Sequence, residues 1–277
     1  MLADVVRNEA YRHALLRAVQ PGDAVLDVGA GTGVLSLFAA AAGARRVYAV
    51  ERARVAQIQA VRSVRAIEVI RADILRARLP EKVDVLVSEW MGAYGVDENL
   101  LLPTLIARDR WLAPGGLIVP GRVTAWLAPV EPAPGLVPVA GGRMWWARST
   151  LATGLLVAPG LQMWTTDVTS VPAAQALLPA RAALRFKAAR DATVGGLVAW
   201  FSADLCGISL TNAPGAPPTH WGEFVFPLAR PVQVDQGAEI AVRFACLPAR
   251  PGAAHHSWSV RIAERDWEHH DTRVGQT

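Results

Sequence analysis

One segment decides the fold of this chain: Val25-Leu26-Asp27-Val28-Gly29-Ala30-Gly31-Thr32-Gly33. It reads as a short strand that ends in a glycine-rich turn, and the apolar pattern of residues 34–42 predicts a helix directly after it. Glycines in such a turn let the backbone bend sharply and approach a ligand closely. A strand, a glycine-rich turn and a helix in this order are typical of an α/β sheet that binds a nucleotide-like cofactor.

Alternating helices and strands extend on both sides of this segment. Near-helical spacing predicts a helix over residues 5–19, with apolar positions Val5, Leu15, Leu16 and Val19. Short apolar runs predict strands at residues 24–28, 47–50 and 83–87, and residues 111–120 read as a Pro- and Gly-rich turn that leads into a further strand. This order indicates a parallel sheet with crossover helices, ending near Gly121.

Beyond Gly121 the composition changes. Prolines become frequent, and short runs rich in Val, Leu, Phe and Trp are separated by turn residues at 197–201, 223–226, 240–246 and 257–262. Such runs predict an antiparallel sheet or barrel. We therefore expect two domains, a cofactor-binding α/β domain over residues 1–121 and a β-barrel domain over residues 122–277.

Composition excludes several classes of protein. The 277 residues are 52% apolar, which is enough for a substantial core and excludes a mainly disordered chain. No apolar run of about 18 residues is free of Pro, Gly and charge, so we expect no membrane span, and the charged amino-terminal segment favours a cytoplasmic protein. The basic residues are scattered, so we do not expect nucleic-acid binding despite a net charge of +4.

Cysteines and histidines give no sign of a metal site. Cys206 and Cys246 are too few for a disulfide framework or a four-thiolate zinc site, so we expect two buried, reduced thiols. The adjacent histidines at 255–256 and 269–270 lack ligand spacing and accompanying cysteines or carboxylates. We predict no bound metal.

The glycine turn favours S-adenosylmethionine over a dinucleotide. A dinucleotide fingerprint needs a third glycine at the position that Val34 occupies, and Asp27 would repel a pyrophosphate. A phosphate-free nucleoside that carries an ammonium and a sulfonium suits this acid better. A nicotinamide oxidoreductase is therefore the less favoured alternative.

Two further acids follow neighbouring strands. Glu51 ends the strand at 47–50, about 20 residues beyond the glycines, where a carboxylate can accept hydrogen bonds from both ribose hydroxyls. Asp73 follows Val69-Ile70 and is predicted either to contact the adenine amino group or to cap a helix before Ile74.

A pair of glutamates indicates the acceptor. The strand at 83–87 delivers Glu89 at its carboxyl end, and Glu98 lies nine residues further on. Neither a helix nor a strand places residues at this spacing on one side, whereas a loop containing Gly92 and Gly95 does. Two converging carboxylates beside a methyl donor suit a planar cation such as a guanidinium.

With these motifs the sequence closely resembles the protein arginine methyltransferase family. The resemblance runs from Met1 to about Phe226. It rests on the glycine motif at 25–33, Glu51, Ser88-Glu89-Trp90-Met91-Gly92 with Glu98, the segment 114–120 and Thr219-His220-Trp221. It implies a Rossmann-like methyltransferase domain followed by a β-barrel, and S-adenosylmethionine-dependent N-methylation of arginine in a protein or peptide.

The resemblance also implies a role for each matched position. The cofactor-binding residues would be Arg7 on the carboxylate, Asp27, Gly29, Gly31 and Gly33 at the turn, Glu51 on the ribose and Asp73 as a possible adenine partner. Glu89 and Glu98 would hold the substrate guanidinium, Asp4 and His220 would form a pair beside Glu98, and Met91 and Trp221 would contact the arginine. We expect His220, paired with Asp4, to accept the leaving proton.

Departures from the family pattern keep alternatives open. The chain starts just after the family's tyrosine-rich capping helix, the loop at 93–97 has fewer aromatics, and the stretch between Trp145-Trp146 and Leu184 is shorter than the family's dimerisation arm. A ring-like dimer is therefore in doubt and the oligomeric state is left open. Free arginine or another small guanidine is the alternative acceptor, and a catalytically silent cofactor-binding pseudoenzyme is the alternative class.

Overall fold

The fold is that of a computed structural model, and the residues that the structure describes are 1–54, 61, 63–133, 137–138, 145–147, 151–177, 180–249, 253–263, 265 and 267–272. The first part contains α1 (Val5–Ala18), β1 (Ala24–Val28), α2 (Val34–Ala41), β2 (Arg46–Glu51), β3 (Ile67–Arg71), β4 (Val83–Ser88), α3 (Leu101–Trp111) and β5 (Leu112–Val119). Its five strands form a parallel sheet in the order β3-β2-β1-β4-β5.

This strand order places the cofactor motif. The chain leaves β1 toward β2 and β3 on one side, then returns to add β4 and β5 on the other side. The crevice at the carboxyl end of β1 is the point where the strand order reverses, and parallel sheets bind ligands there. The glycine turn after Val28 therefore lies where the sequence predicts the cofactor.

Helix α1 buries two of the four apolar residues from which it was predicted, Leu15 and Val19. Val5 and Leu16 are 70% and 49% exposed. The buried positions of the helix are Arg7, Ala10, Tyr11, Ala14, Leu15 and Ala18. The helix itself was predicted, but the apolar pattern missed the buried arginine, whose charge is compensated from another element.

Strand β5 includes most of the Pro- and Gly-rich segment 111–120 that the sequence predicts as a turn. Val83 of β4 pairs with Leu112, but Val85 pairs with Leu117, so residues 113–116 bulge out of the ladder. Gly116 lies close to β4, since a Cβ there would be 2.8 Å from the Asp84 carbonyl oxygen. The segment is therefore a bulge within the strand.

The second part of the chain is antiparallel, as predicted. Its strands are β6 (Arg122–Val130), β7 (Val137–Pro138), β8 (Trp145–Ala147), β9 (Leu161–Asp167), β10 (Ala180–Lys187), β11 (Ala192–Leu205), β12 (Ile208–Thr211), β13 (Glu223–Val234), β14 (Glu239–Pro248), β15 (Ala254–Ile262) and β16 (Glu268–Asp271). One sheet has the order β7-β8-β13-β11-β6-β9, with β12 on β11, and the other has the order β10-β14-β15-β16. Both sheets contribute to one apolar core, which includes Leu127, Phe226 and Phe244.

The predicted domain boundary coincides with a change of architecture, but the core crosses it. The parallel sheet ends at Val119 and the antiparallel part begins at Arg122. Phe201, Leu210 and Trp221 from the second part nevertheless belong to the apolar cluster of the first. The division at residue 121 therefore stays a prediction.

The remaining sequence expectations concern thiols, metals and membranes. Both cysteines are free; Cys246 is buried, whereas Cys206 is only half-buried, because it occupies the turn between β11 and β12 with a φ of 54°. Over the described residues, no cluster of three or more His, Cys, Asp or Glu side chains is arranged to hold a metal ion. In the same part of the chain no helix is both long and apolar enough to cross a membrane.

Candidate active site

The glycine turn is held in the left-handed backbone region. Gly29, Gly31 and Gly33 have φ values of 72°, 54° and 83°, which side chains with a Cβ rarely adopt. A Cβ at Gly33 would also lie 2.8 Å from a methyl group of Val61, whereas a Cβ at Gly29 would meet nothing within 4 Å. Gly33 thus permits close packing at the start of α2, and Gly29 borders open space for a ligand.

Asp27 connects β1 to the helix that follows the turn. Its Oδ2 accepts a hydrogen bond of 2.6 Å from Ser36 Oγ in α2. Burial raises the pKa of Asp27 to about 6, although the bonds from Ser36 oppose that shift. Its Oδ1 is buried with no hydrogen-bond partner among the described residues. Asp27 is therefore bonded to Ser36 at the start of α2, while its Oδ1 is a free acceptor among the described residues.

Glu51 connects the end of β2 to the glycine turn. One carboxylate oxygen accepts a hydrogen bond of 2.9 Å from Gly31 N–H, and the other accepts one of 2.6 Å from Ala53 N–H. Each carboxylate oxygen has a second lone pair. Glu51 therefore shapes the turn and still has acceptor capacity for ribose hydroxyls.

Asp73 begins a turn after β3. Its Oδ1 accepts a hydrogen bond of 2.9 Å from Leu75 N–H, and its carbonyl oxygen accepts bonds from Arg76 and Ala77. The segment is a turn and not the helix that one sequence interpretation gave. A contact between Asp73 and adenine stays a prediction.

Glu89 and Arg7 form a buried ion pair. Arg7 Nη2 lies 3.5 Å from Glu89 Oε2, and the two side chains are 3% and 7% exposed. Burial raises the pKa of Glu89, and the charge of Arg7 opposes that rise. Arg7 Nε is buried without a hydrogen-bond partner in the described part of the chain. Arg7 thus compensates the Glu89 charge and keeps one unused donor beside the crevice.

Residues 89–100 form the glutamate loop, which replaces regular structure between β4 and α3. Gly92 and Gly95 face each other across a tight turn, joined by hydrogen bonds of 2.9 and 3.3 Å between their backbones. Glu98 is exposed to solvent at the end of this turn. Partial desolvation, followed by the negative charges of Asp97 and Glu89, raises the pKa of Glu98 to about 7. The loop therefore brings two glutamates within electrostatic reach of each other.

Asp4 and His220 join the two parts of the chain beside this loop. Asp4 Oδ2 accepts hydrogen bonds of 2.8 Å from His220 N–H and 2.7 Å from His220 Nδ1. Burial tends to raise the pKa of Asp4, but the hydrogen bonds from Arg7 and His220 outweigh it and lower the pKa. Burial lowers the pKa of His220, although Asp4 opposes that shift. A neutral His220 with Nδ1–H on Asp4 leaves Nε2 as a proton acceptor.

Trp221 supports the glutamate loop through the backbone of Met91. The buried Trp221 donates a hydrogen bond of 2.7 Å from Nε1 to the carbonyl of Met91. The Met91 N–H in turn lies 3.2 Å from Glu89 Oε1. Trp221 also packs edge-on against Phe201, with ring centroids 5.0 Å apart. A role of either residue in arginine contact stays a prediction.

Three residues that shape the site were not predicted from the sequence: Asp97, Asn212 and Tyr94. Asp97 accepts hydrogen bonds from backbone N–H groups of the glutamate loop, and Asn212 donates to a carbonyl of the same loop. Tyr94 is fully buried among Phe226, Phe244 and other rings of the antiparallel part, so it anchors the loop there instead of lining a pocket. The sequence signal for two of them was the presence of Tyr94 and Asp97 in a loop that contains two glycines.

Comparisons with known proteins agree with this geometry. A family model described as the arginine methyltransferase oligomerization subdomain matches residues 147–264. A second model, described as ribosomal protein L11 methyltransferase, matches residues 12–93. Both parts of the chain are thus similar to methyltransferase families.

Individual proteins show the same likeness. Protein arginine N-methyltransferase 6 of Danio rerio is 50% identical over 139 residues, covering 47% of this chain and 40% of that protein. The protein of that name from Xenopus tropicalis is 35% identical over 281 residues, covering 87% of this chain and 80% of that protein. Among solved structures, the Trypanosoma brucei PRMT1 enzyme-prozyme heterotetrameric complex with AdoHcy has a TM-score of 0.84 at 26% identity, covering 98% of this chain and 95% of that one.

Proposed function

Because the chain belongs to the protein arginine N-methyltransferase family, we propose that it transfers a methyl group from S-adenosylmethionine to a guanidino nitrogen of arginine in a protein or peptide. The observation that carries the proposal is the glutamate loop, which brings the charge of Glu89 within electrostatic reach of Glu98. The Asp4 and His220 pair, which joins the two parts of the chain beside it, supports the proposal.

The two glutamates suit a guanidinium in charge and in shape. A guanidinium has a pKa above about 12, so it arrives protonated and is a poor nucleophile. Carboxylates on one edge draw the positive charge toward the nitrogens that they contact and leave lone-pair character on the other nitrogen. Binding of the cation also favours ionisation of Glu98, whose pKa of about 7 leaves it partly protonated without a partner.

The crevice at the end of β1 fits the cofactor. Gly29 borders open space, Glu51 has acceptor capacity for ribose hydroxyls, and Arg7 and Asp27 each have a buried polar atom without a hydrogen-bond partner in the described residues. The ammonium of S-adenosylmethionine is complementary to the acid Asp27, and its carboxylate is complementary to the base Arg7. S-adenosylmethionine, when bound, supplies a methyl group on a sulfonium sulfur.

We propose that His220 removes the proton that the nitrogen loses on methylation. Asp4 holds Nδ1–H and fixes the tautomer, so that Nε2 is the acceptor. Because burial lowers the pKa of His220, the ring is neutral at neutral pH and ready to take a proton. Water can substitute for this group, so we expect its contribution to be smaller than that of the glutamates.

Two alternatives remain, and one experiment separates them. A small guanidine such as free arginine could use the same glutamates, and a pseudoenzyme would bind cofactor without transfer. We propose incubating the protein with labelled S-adenosylmethionine and arginine peptides, free arginine or cell lysate. Label in peptide or lysate protein supports the proposal; label only in free arginine supports the first alternative. Tight S-adenosylhomocysteine binding with no label in any acceptor supports the second.

The two free cysteines of the structure also support a reducing compartment. We propose a cytoplasmic location, which cell fractionation tests.

A further inference from the structure

The peptide groups around Ala93, in the turn of the glutamate loop, are held from two sides. Asp97 Oδ2 accepts a hydrogen bond of 3.0 Å from Ala93 N–H, and Oδ1 accepts one of 3.0 Å from Tyr94 N–H. From the opposite side, Asn212 Nδ2 donates a bond of 2.7 Å to the Ala93 carbonyl oxygen. We call Asp97 and Asn212 the Ala93 clamp.

Both side chains of the clamp are buried, at 6% exposure for Asp97 and 2% for Asn212. A buried carboxylate is costly unless hydrogen bonds compensate it. The side chain of Asp97 accepts hydrogen bonds from backbone N–H groups of its own loop, and no salt bridge to it is found among the described residues. The carboxylate of Asp97 therefore stabilises the conformation of the loop.

Asn212 extends the clamp to the segment that carries His220. Its Oδ1 accepts a hydrogen bond of 2.9 Å from Phe201 N–H in β11. Its Nδ2 also donates to the carbonyl of Gly222, two residues beyond His220. One side chain thus joins the glutamate loop, β11 and the histidine segment.

We infer that Asp97 and Asn212 are positioning residues that fix Glu98 relative to His220. This inference rests on the proposed function for its catalytic consequence. Asp97 is the immediate neighbour of Glu98, so the bonds that fix Asp97 also fix the backbone from which Glu98 projects. Displacement of a reacting group by about 1 Å can reduce a rate about 100-fold.

The clamp also accounts for the glycine at position 92. A Cβ there would lie 2.4 Å from Asp97 Oδ2 and 2.6 Å from Oδ1. The carboxylate cannot move aside without breaking its bonds to Ala93 and Tyr94. A side chain at position 92 and the clamp are therefore incompatible.

The sharpest test replaces an acceptor by a donor of nearly the same shape. Asp97→Asn presents an NH₂ group to one of two N–H groups that both need an acceptor. Asn212→Ala removes the bond to Ala93 from the other side. Asp191→Asn is the matched control, because that exposed carboxylate accepts one backbone bond, from Gln236 N–H.

Two measurements are made on each folded variant and on the full chain. In steady-state methylation of an arginine peptide we expect Asp97→Asn and Asn212→Ala to lower kcat/KM about 10- to 100-fold, with S-adenosylhomocysteine affinity unchanged. The double variant should be no worse than about the more damaging single one, because both side chains hold the same peptide. The Asp191→Asn control should match the wild type.

Hydrogen exchange provides a readout that does not depend on the acceptor. The peptide covering residues 90–98 should exchange at least about 10-fold faster in both clamp variants, and at the wild-type rate in the control. Faster exchange together with the lower kcat/KM supports the inference; wild-type exchange or wild-type kcat/KM in a folded variant overturns it. If Asp97→Asn does not fold, Asn212→Ala decides by the same criteria. A wild-type protein that methylates nothing overturns the proposed function instead, and with it the catalytic role of the clamp.

Discussion

The carboxylate of Asp4 both caps helix α1 and binds His220. Asp4 Oδ1 caps helix α1 by accepting the Arg7 N–H at 2.9 Å, while Oδ2 accepts both the backbone N–H and Nδ1 of His220, 216 residues away. The start of α1 therefore fixes the ring of a residue in the second part of the chain.

Asp4→Asn should uncouple these two tasks. Asparagine is also a good N-cap, so the helix should be retained. With its oxygen on the Arg7 N–H, its NH₂ group would face both the His220 backbone N–H, which loses its acceptor, and Nδ1. An NH₂ donor facing Nδ1 favours the tautomer with a proton on Nε2 and removes the proton acceptor. We expect methyl transfer to fall about 10-fold with S-adenosylhomocysteine affinity unchanged. Initial rates and calorimetry measure both quantities.

The control is Asp4→Ala, which loses the cap as well. It should lower the free energy of unfolding by about 1 kcal/mol more than Asp4→Asn does, measured by urea denaturation. A wild-type rate for Asp4→Asn would show that His220 does not take the proton.

Glu51→Ala should weaken cofactor binding. Glu51 accepts bonds from Gly31 N–H and Ala53 N–H, so the change removes both the ribose acceptor and two supports of the turn. We expect a loss of about 1.5–3 kcal/mol in S-adenosylhomocysteine binding, measured by calorimetry. Glu68→Ala, on the exposed side of β3, should bind as the wild type does. Equal affinities for all three proteins would remove Glu51 from the cofactor site.

The parallel sheet was predictable because its signals are local. The glycine motif and the strand before it lie within nine residues, and the apolar runs of β1 and β4 need no knowledge of their neighbours. The spacing alone predicted a loop between Glu89 and Glu98, since a helix or a strand places residues nine positions apart on opposite sides.

Residues whose partners are distant in sequence were not predictable in this way. Arg7 is buried on α1 because Glu89, 82 residues away, compensates its charge. Asn212 contacts Ala93 across 119 residues. Burial of a polar side chain depends on such partners, which an apolar pattern does not contain.

His256 should make the antiparallel part of the chain sensitive to acid. Its ring is buried against Phe226 and Tyr94, at centroid distances of 5.6 and 5.8 Å, and burial lowers its pKa from 6.5 to about 4. Between these values the unfolded chain binds a proton that the folded chain does not, so the stabilisation present above pH 6.5 is lost as pH falls toward 4.

The measurement compares the wild type with His256→Phe, which removes this titration. The free energy of unfolding of the wild type, relative to the variant, should fall by up to about 3 kcal/mol between pH 7 and pH 4. Urea denaturation at several pH values gives the difference in the free energy of unfolding between the two proteins. The contributions of titratable groups that both proteins share cancel in this difference. A difference that does not change with pH would contradict the assignment.

Glu98 should give the activity a pH dependence near neutrality. Partial desolvation, followed by the charges of Asp97 and Glu89, raises its pKa to about 7, so Glu98 is increasingly protonated below that pH and less able to hold a cation. We expect kcat/KM for an arginine peptide to rise with pH through about 7. The profile is measured at saturating S-adenosylmethionine, and a flat profile between pH 6 and 8 would exclude this ionisation from the rate.

Glu98→Gln is the decisive change for the acceptor. It keeps the size and most of the hydrogen bonding of the side chain but removes the charge that offsets the substrate cation. Because the cofactor crevice is built from Arg7, Glu51 and the glycine turn, S-adenosylhomocysteine affinity should be unchanged. Methyl transfer should fall about 100-fold or more, equivalent to roughly 2.7 kcal/mol of transition-state stabilisation, with a smaller loss for His220→Ala. Transfer at the wild-type rate would mean that the acceptor is not a guanidinium held by this loop.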